Sequence, residues 1–500
     1  MATQAMFVMR RSVVVALMGW SAACSAAGQF DPDGQSSMEK EVARRAAAEP
    51  AIGADWQMTR SVEAGVQIAG ESNLFWKLSN TPARNPDFDF NPYWYEFYVK
   101  PALGFKRNLG DGKQLYARVS AVGSGTLRHD PFGAGDTGRI SIEEFVAGIR
   151  MPISGTHASV DLSAGAQNFT LGTGMLIANG GSNGFDRGAL KLGPRKAFQN
   201  SVVAKVSQDA YSAQAFYLDP NENPDNDSGT RVVGVDFSYS PADDRKVGIA
   251  YGKVPRSRAA YPQAAPGGIG APLAVPDGRK DLQFVYGYAR VPVPVLPTLL
   301  SKGWFGFDAT REWNTRVPMR AWGWRTEGGF SLPDVAWTPK ITLGYQSFSG
   351  DDPHTARNER FDPLFFEGTP GAWASGSKAT WVFVNSNVNA LQATIELHPT
   401  PKDTVITYLA QVRANQMGSP LQFGQATRLD VPGDAPVVIS GVLRPMLSND
   451  VFVKYVRVVN PNTYLTLGFS ASFAQSGVNQ LVGGQAKTWT GWLANVVWVY

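Results

Sequence analysis

The chain is poor in the residues that build disulfides and metal centres. Its 500 residues include 1 cysteine and 4 histidines. The cysteine, Cys24, falls within an N-terminal leader, so the mature protein can form no disulfide and offers no thiol nucleophile. The histidines have neither the spacing nor the cysteine partners of a transition-metal site. The sequence therefore predicts no metal site and no cofactor.

Long apolar runs and a strong net charge are also missing. After the leader no stretch of about 18 apolar residues occurs, which excludes an ordinary transmembrane helix. The net charge is only +4 and the 46 basic residues are scattered, so we predict no nucleic-acid partner. A mean hydropathy of -0.18 is still compatible with membrane strands, because alternation hides their apolar face from an average.

The N-terminus has the features of an export signal. Arg10 and Arg11 precede an apolar run, and small residues follow it at a plausible cleavage point. We predict a signal peptide at residues 1–27 and a periplasmic segment at 28–60. The charged stretch at 36–48 predicts a short helix there, with a disordered segment as the alternative. A lipid-modified start at Cys24 is less favoured.

The remainder of the chain alternates in the manner of membrane-spanning β-strands. Between Leu282 and Tyr500, segments of about ten residues place a large apolar side chain at every second position. Strands cross lipid only as a closed cylinder, because an open edge leaves backbone groups unpaired. We predict an all-β fold, a transmembrane antiparallel β-barrel of about 18 strands (16–18), at residues 61–500. Its location would be the outer membrane of a Gram-negative cell.

Turn residues and polar stretches predict two unlike rims. Short turns, expected to face the periplasm, lie at 108–113, 240–246, 398–403 and 460–463. Long polar loops, expected to be extracellular, lie at 123–139, 172–198, 254–280, 349–387, 415–449 and 476–488. The loops at 123–139 and 349–387 are candidates to fold inward as lids.

Side chains opposite the apolar face should line the lumen. A charge on the lipid side at mid-membrane costs about 2–4 kcal/mol, so inward charges predict a water-filled interior. On the strand near residue 410, we expect Ile406, Tyr408 and Val412 to face lipid. The predicted pore-lining residues are Lys100, Arg118, Glu144, Arg150, Gln167, Lys205, Asp308, Glu312, Arg325, Glu327 and Arg413. Alternatively, these acids and bases pair across strands and brace the wall.

Enzyme chemistry has little support in the sequence. No Gly-x-Ser-x-Gly motif introduces a helix, so no hydrolase nucleophile is evident and no catalytic residue is predicted. Asp351, Asp352 and Asp362 could bind Ca²⁺, but their spacing is not that of an EF-hand loop, and capping of turns is favoured. An outer-membrane hydrolase is the minor alternative.

Several segments resemble the alginate-export family of outer-membrane porins. The longest is SFSGDDPHTARNERFDPLFFEG, which begins at Ser347 and matches a strand and loop of that family. Supporting likenesses lie at Glu144-Phe145, at 162–181 and at 450–477. Ala166 occupies the position of the family's pore-lining arginine.

The resemblance implies an 18-stranded barrel through which an anionic polysaccharide such as alginate leaves the cell. From it and the charge pattern we expect a passive channel for saccharides or organic anions. The expected partners are outer-membrane lipid, the solute and periplasmic export proteins, and the expected state is a monomer. A plugged barrel that serves as an adhesin or receptor is the second hypothesis.

Overall fold

The computed structural model describes residues 56–74, 89–128, 130, 135–181, 187–224, 227–268, 270, 272–293, 302–366, 383–420, 429–430, 437–438, 441–481 and 484–500. The predicted signal peptide, the helix at 36–48 and Cys24 lie outside the described residues. Among the described residues, no helix is long and apolar enough to cross a bilayer.

The predicted fold class is confirmed. One 18-stranded antiparallel sheet closes on itself, because the first strand pairs with both the second and the last. The first strand starts at Trp56, ahead of residue 61. The strands are β1 Trp56–Ser72, β2 Tyr93–Gly110, β3 Lys113–Leu127, β4 Thr137–Pro152, β5 Ala158–Gln167, β6 Phe198–Gln208, β7 Tyr211–Pro220, β8 Arg231–Ala242, β9 Arg245–Arg256, β10 Leu282–Val293, β11 Lys302–Asn314, β12 Met319–Ser331, β13 Lys340–Phe348, β14 Val388–Thr400, β15 Asp403–Ala414, β16 Met446–Asn460, β17 Thr463–Ala474 and β18 Trp489–Val499.

Alternation along each strand separates an outer from an inner face. On β2, Tyr95 and Phe97 are 42% and 44% exposed, whereas Trp94 before them and Tyr98 after them are 0% and 3% exposed. Successive side chains of a strand point to opposite faces, so the exposed aromatic residues form the outer surface of the cylinder. An apolar outer surface of this kind is the surface that contacts lipid.

Short turns join the strands at one rim. The predicted turns at 108–113, 240–246, 398–403 and 460–463 each connect two consecutive strands. Between β2 and β3 the chain reverses with Gly110, Asp111 and Gly112 at φ values of 84°, 49° and 71°. Glycine and aspartate tolerate this left-handed region, which a tight hairpin turn requires.

Longer connections occupy most of the opposite rim, where the link at 315–318 is short, and the predicted loop at 123–139 is shorter than expected. β3 continues to Leu127 and β4 begins at Thr137, so only residues 128–136 of the predicted loop at 123–139 lie between the strands. Within other connections, Tyr261–Gln263 pairs with Leu273–Val275, and a short helix, α1, spans Ser476–Leu481. The third connection (residues 168–197) and the seventh (residues 349–387) are called the third and seventh loops.

An apolar core lies inside the barrel at the long-loop end. Leu171 and Met175 of the third loop and Phe361 of the seventh loop pack with Phe284 and Phe348 of the wall, and all are buried. The sequence alone suggested an interior lined by charged residues throughout, and the apolar core shows that this is not so. Apolar loop residues fill one end, and charged residues line the end nearer the short turns.

Candidate functional site

A buried glutamate of β2 fixes the third loop inside the barrel. The Glu96 carboxylate is 2% exposed. It accepts hydrogen bonds from the backbone N–H groups of Lys191 at 2.9 Å and Leu192 at 2.8 Å, and from the indole of Trp94 at 2.7 Å. Three donors satisfy a carboxylate that has no access to water, so the loop is held closely against β2.

Lys191 adds an ion pair on the neighbouring strand. Its Nζ lies 2.8 Å from Glu71 of β1, and the two side chains are only 3% and 0% exposed. Glu71 also accepts a hydrogen bond from the indole of Trp489 at 3.0 Å. The Lys191 ammonium lies 4.8 Å from the ring centroid of Trp94. The loop is thus connected to β1, β2 and β18 at one point.

A β-bulge in β4 supplies the second anchor of the third loop. Ser120 pairs with Glu144 and Ala121 with Ile142, so Glu143 is an extra residue in β4. Both Glu143 and Glu144 consequently face inward. Glu143 accepts hydrogen bonds from the backbone N–H groups of residues 196 and 197 at 2.6 and 2.8 Å.

Arg195 holds the same part of the third loop against β3 and β4. Its guanidinium donates to Ser124 Oγ at 2.6 Å and to the carbonyl of Arg139 at 3.0 Å. Burial lowers the pKa of Arg195 to about 10, so the side chain stays charged at neutral pH. Together the two anchors place residues 187–197 across the lumen.

The seventh loop is held by a buried acid and base cluster. Asp362 accepts two hydrogen bonds from Arg279, at 2.7 and 2.9 Å, and one from the hydroxyl of Tyr261 at 2.7 Å. The neighbouring carboxylate raises the pKa of Arg279 against the opposing effect of burial, and burial raises the pKa of Tyr261 well above its usual value. The backbone N–H of Asp362 donates to Glu312 of the wall at 2.9 Å.

The two loops are also joined to each other. The N–H of Phe365 donates to the carbonyl of Leu176 at 2.8 Å, and the N–H of Ala178 donates to the carbonyl of Phe365 at 2.8 Å. The third and seventh loops therefore form one inward-folded unit, which narrows the barrel from the long-loop end. For 349–387 the described part agrees with the expected inward fold, whereas the inward fold of the third loop was not anticipated.

Below this unit, bases of the wall reach into the lumen and acids stay behind them. Arg118 lies 2.9 Å from Glu144, with side-chain exposures of 33% and 9%. Arg150 lies 2.7 Å from Asp161, with exposures of 56% and 20%. Lys205, which pairs in register with Asp161, is exposed as well. The surface offered to the lumen here is cationic, because three bases face two acids and the bases are the more exposed.

Three further predicted residues form a buried group on the wall. Arg325 Nη2 lies 3.5 Å from Asp308 and 3.5 Å from Glu327. Asp308 accepts hydrogen bonds from Tyr286 at 2.6 Å and from Thr173 of the third loop at 2.5 Å. Asp308 therefore links the third loop to the wall, with Arg325 as its counter-charge, and Glu312 links the seventh loop to the wall. Only Glu327 of this group remains partly exposed, at 19%.

The two remaining inward residues are also engaged. Lys100 donates to the carbonyl of Pro194 in the third loop at 3.3 Å. Gln167 accepts a hydrogen bond from Ser163 at 3.1 Å and donates to Ser201 at 2.9 Å. Lys100 thus lies where the charged wall meets the loop, and Gln167 bridges strands.

Arg413 does not line the lumen, and its prediction was wrong. On β15, Ile406, Tyr408 and Val412 are 5%, 2% and 0% exposed and face the inner core, whereas Leu409 is 43% exposed and shares its face with Arg413. Alternation defines two faces but does not say which is inner. Here the inner face is apolar because the inward loops pack on it, and the outer face becomes polar near the rim.

Several inward charged residues were not singled out from the sequence: Glu71, Glu143, Lys191, Arg195, Lys246 and Lys454. Two adjacent glutamates within one strand could have indicated a bulge, since strict alternation would send one of them into lipid. Lys191 and Arg195 lie in a glycine-rich loop without periodicity, so no pattern marked them.

The aspartates considered for Ca²⁺ are used otherwise. Asp351 accepts from the backbone N–H groups of Ala264 at 2.5 Å and Glu359 at 2.7 Å, and Asp352 accepts from that of His354 at 2.9 Å. Asp362 is the partner of Arg279. Among the described residues, no cluster of acidic, histidine or cysteine side chains is suited to hold a metal ion.

The closed sheet, the apolar exterior and the two unlike rims define an outer-membrane β-barrel, and solved structures share this fold. Acinetobacter baumannii OccAB2 matches with a TM-score of 0.51 at 10% identity, over 88% of this chain and 98% of that one. Pseudomonas aeruginosa OccK7 (OpdD) matches with a TM-score of 0.50 at 10% identity, over 90% and 99%. Pseudomonas aeruginosa OpdO matches with 0.50 at 12%, over 89% and 97%.

A narrower assignment comes from the sequence of β11 to β15. Residues 307–417 match the model of the alginate export family, which confirms the resemblance noted at Ser347. No curated protein sequence matches the chain.

Proposed function

We propose that the protein is a passive outer-membrane channel for organic anions or saccharides. The observation that carries this proposal is the unequal exposure of the paired charges: Arg118 and Arg150 reach the lumen, while Glu144 and Asp161 lie behind them. A solute in the lumen meets the guanidinium groups first. The barrel and its family match suit transport without covalent chemistry.

Exposed arginine is well suited to this role. Its planar guanidinium binds carboxylate or phosphate in two parallel hydrogen bonds, and the neighbouring acid keeps it oriented. Conduction requires attraction that is weak enough for release. Water in the lumen and the acids behind the bases both weaken the attraction, so the arrangement favours passage over tight binding.

Polysaccharide export is the more specific form of the proposal. It is supported by the alginate export match over residues 307–417. The inward-folded unit of the third and seventh loops narrows the barrel, and this narrowing supports a second candidate function. In that case the loops close the barrel and the protein acts as an adhesin or receptor.

Ion selectivity in planar bilayers tests the proposal. Charge-removing substitutions R118Q, R150Q and K205Q are combined in one variant. The matched control combines R311Q, R320Q and R413Q, which removes equal charge from the outer surface of the barrel. We expect an anion preference in the wild type and the control. In the lumenal variant the reversal potential under a salt gradient should shift toward the equilibrium potential of the cation.

Two results would contradict the proposal. An anion preference that is the same in all three proteins would remove the lumenal bases from the mechanism. A correctly folded barrel without steady current, verified by heat-modifiable gel mobility, would favour the closed receptor instead.

A further inference from the structure

Three arginines project from the outer surface near the long-loop rim. Arg311 on β11 shares its face with Phe307, which is 41% exposed, and Arg320 on β12 shares its face with Trp322, also 41% exposed. Arg413 takes the same position on β15. All three side chains are exposed and point away from the lumen.

Among the described residues, these guanidinium groups have no protein counter-charge. Within the part of the chain that the structure describes, their side chains make no ion pair or hydrogen bond. The outward positions of β11 to β16 near this rim, as far as they are described, carry no aspartate or glutamate. Arg311 lies opposite Trp322, so Arg320 is its diagonal neighbour at about 7–8 Å between Cα atoms. Two like charges at this distance repel unless an anion lies between them.

Amide and hydroxyl groups continue the same surface between the arginines. Ser347, which is only 3% exposed, donates to Asn389 at 2.5 Å, and Asn415 donates to Asn389 at 2.9 Å, while the two asparagines are partly exposed. Asn389 pairs in register with Arg413. Polar side chains on the outside of a barrel belong at the level of the lipid headgroups, because the hydrocarbon region offers them no partners.

The charges are far enough apart to contact two phosphates of one headgroup. Arg413 is in register with Trp324, so three strand spacings and four residues separate it from Arg320, which corresponds to about 20 Å between their Cα atoms. Arg311 and Arg320 form one cationic end, Arg413 forms the other, and the amide and hydroxyl cluster lies between them. Trp322 borders the patch on the side toward the hydrocarbon, where tryptophan is favoured.

We propose that this patch binds a phosphorylated glycolipid of the outer leaflet. The arginines bind its phosphates through charge-assisted hydrogen bonds, and the partly exposed amides of Asn389 and Asn415 bind its sugar hydroxyls. The lipid site is independent of the channel function, since the three arginines lie outside the wall that the solute passes.

Binding of lipid to the purified full-length barrel tests this inference. The probe is a bis-phosphorylated glucosamine disaccharide lipid, titrated in detergent micelles and followed by native mass spectrometry. We expect the triple variant R311Q, R320Q and R413Q to bind it about tenfold or more weakly than the wild type, because each lost contact is charge-assisted. The lumenal variant R118Q, R150Q and K205Q removes equal charge and should bind like the wild type.

Two comparisons separate a phosphoglycolipid site from general attraction. A dephosphorylated form of the same lipid should bind the wild type as weakly as the bis-phosphorylated form binds the outer variant. Phosphatidylglycerol should also bind more weakly. Equal affinity of the wild type and the outer variant, or equal affinity for phosphatidylglycerol, would overturn the proposal. Heat-modifiable mobility verifies that each variant is a folded barrel.

Discussion

The substitution Lys191→Met should release the third loop from the wall. Lys191 and Glu71 form an ion pair of 2.8 Å with side chains that are 3% and 0% exposed. Breaking a buried pair by removing one partner costs about 3–5 kcal/mol, because an uncompensated charge remains. Glu71 keeps the hydrogen bond from Trp489, so we expect about 3 kcal/mol.

A change of this size is large for one loop. A difference of about 1.4 kcal/mol corresponds to a factor of ten, so about 3 kcal/mol lowers the ratio of docked to undocked loop roughly a hundredfold. We expect higher single-channel conductance, or more frequent open events, and faster proteolytic cleavage within residues 168–197. Methionine preserves much of the packing of the lysine chain, so the charge is the main change.

The double variant Lys191→Met with Glu71→Gln is the matched control. It removes both charges, so no unpaired charge is left in the buried site, and leaving such a charge is the main cost of the single variant. Conductance and protease resistance should return most of the way to those of the wild type. If Lys191→Met alone leaves both measurements unchanged, the ion pair does not hold the loop and the reasoning is refuted.

Three shorter predictions concern the loops. Arg279→Gln deprives Asp362 of its cation and should increase protease cleavage within residues 349–387; resistance equal to that of the wild type would contradict this role. Gly188 has φ 69° and a Cβ there would lie 2.6 Å from the backbone of β3, so Gly188→Ala should loosen the third loop, while Gly155→Ala at φ 76° in open space gives the effect of backbone strain alone. Burial raises the pKa of Glu222 from 4.5 to about 7, so the protonated form is favoured by folding. The resulting stability is present below about pH 4.5 and is lost as the pH rises through about 7, and Glu222→Gln should flatten this part of the unfolding profile.

The barrel wall was predictable from the sequence because the patterns that define it involve residues that are close together along the chain. Alternation with a period of two residues and turn residues at fixed intervals marked the strands and the four short turns. On β2 the same alternation assigned Tyr95 and Phe97 to the outer face, as found. The closing of the sheet followed from the absence of any other way to pair strand edges in lipid.

The contents of the lumen were not predictable in the same way. The apolar core depends on Leu171, Met175 and Phe361, which come from loops without periodicity and meet the wall only in three dimensions. For that reason the inner face of β15 was mistaken for a lipid face, and Arg413 was placed on the wrong side. Whether a face is inner or outer depends on what packs against it, which a single strand does not reveal.

The extra residue at Glu143 sets the orientation of half of β4. Ile140 and Ile142 lie before it and Phe145 after it, and all three face outward at 83%, 62% and 67% exposure. Without the extra residue, the inward and outward faces would be exchanged for all residues on one side of position 143. Either the isoleucines would then enter the lumen or Arg150 would enter lipid. Loss of a single codon at this position would therefore damage the membrane surface and the lumenal surface together, although it would delete only one side chain.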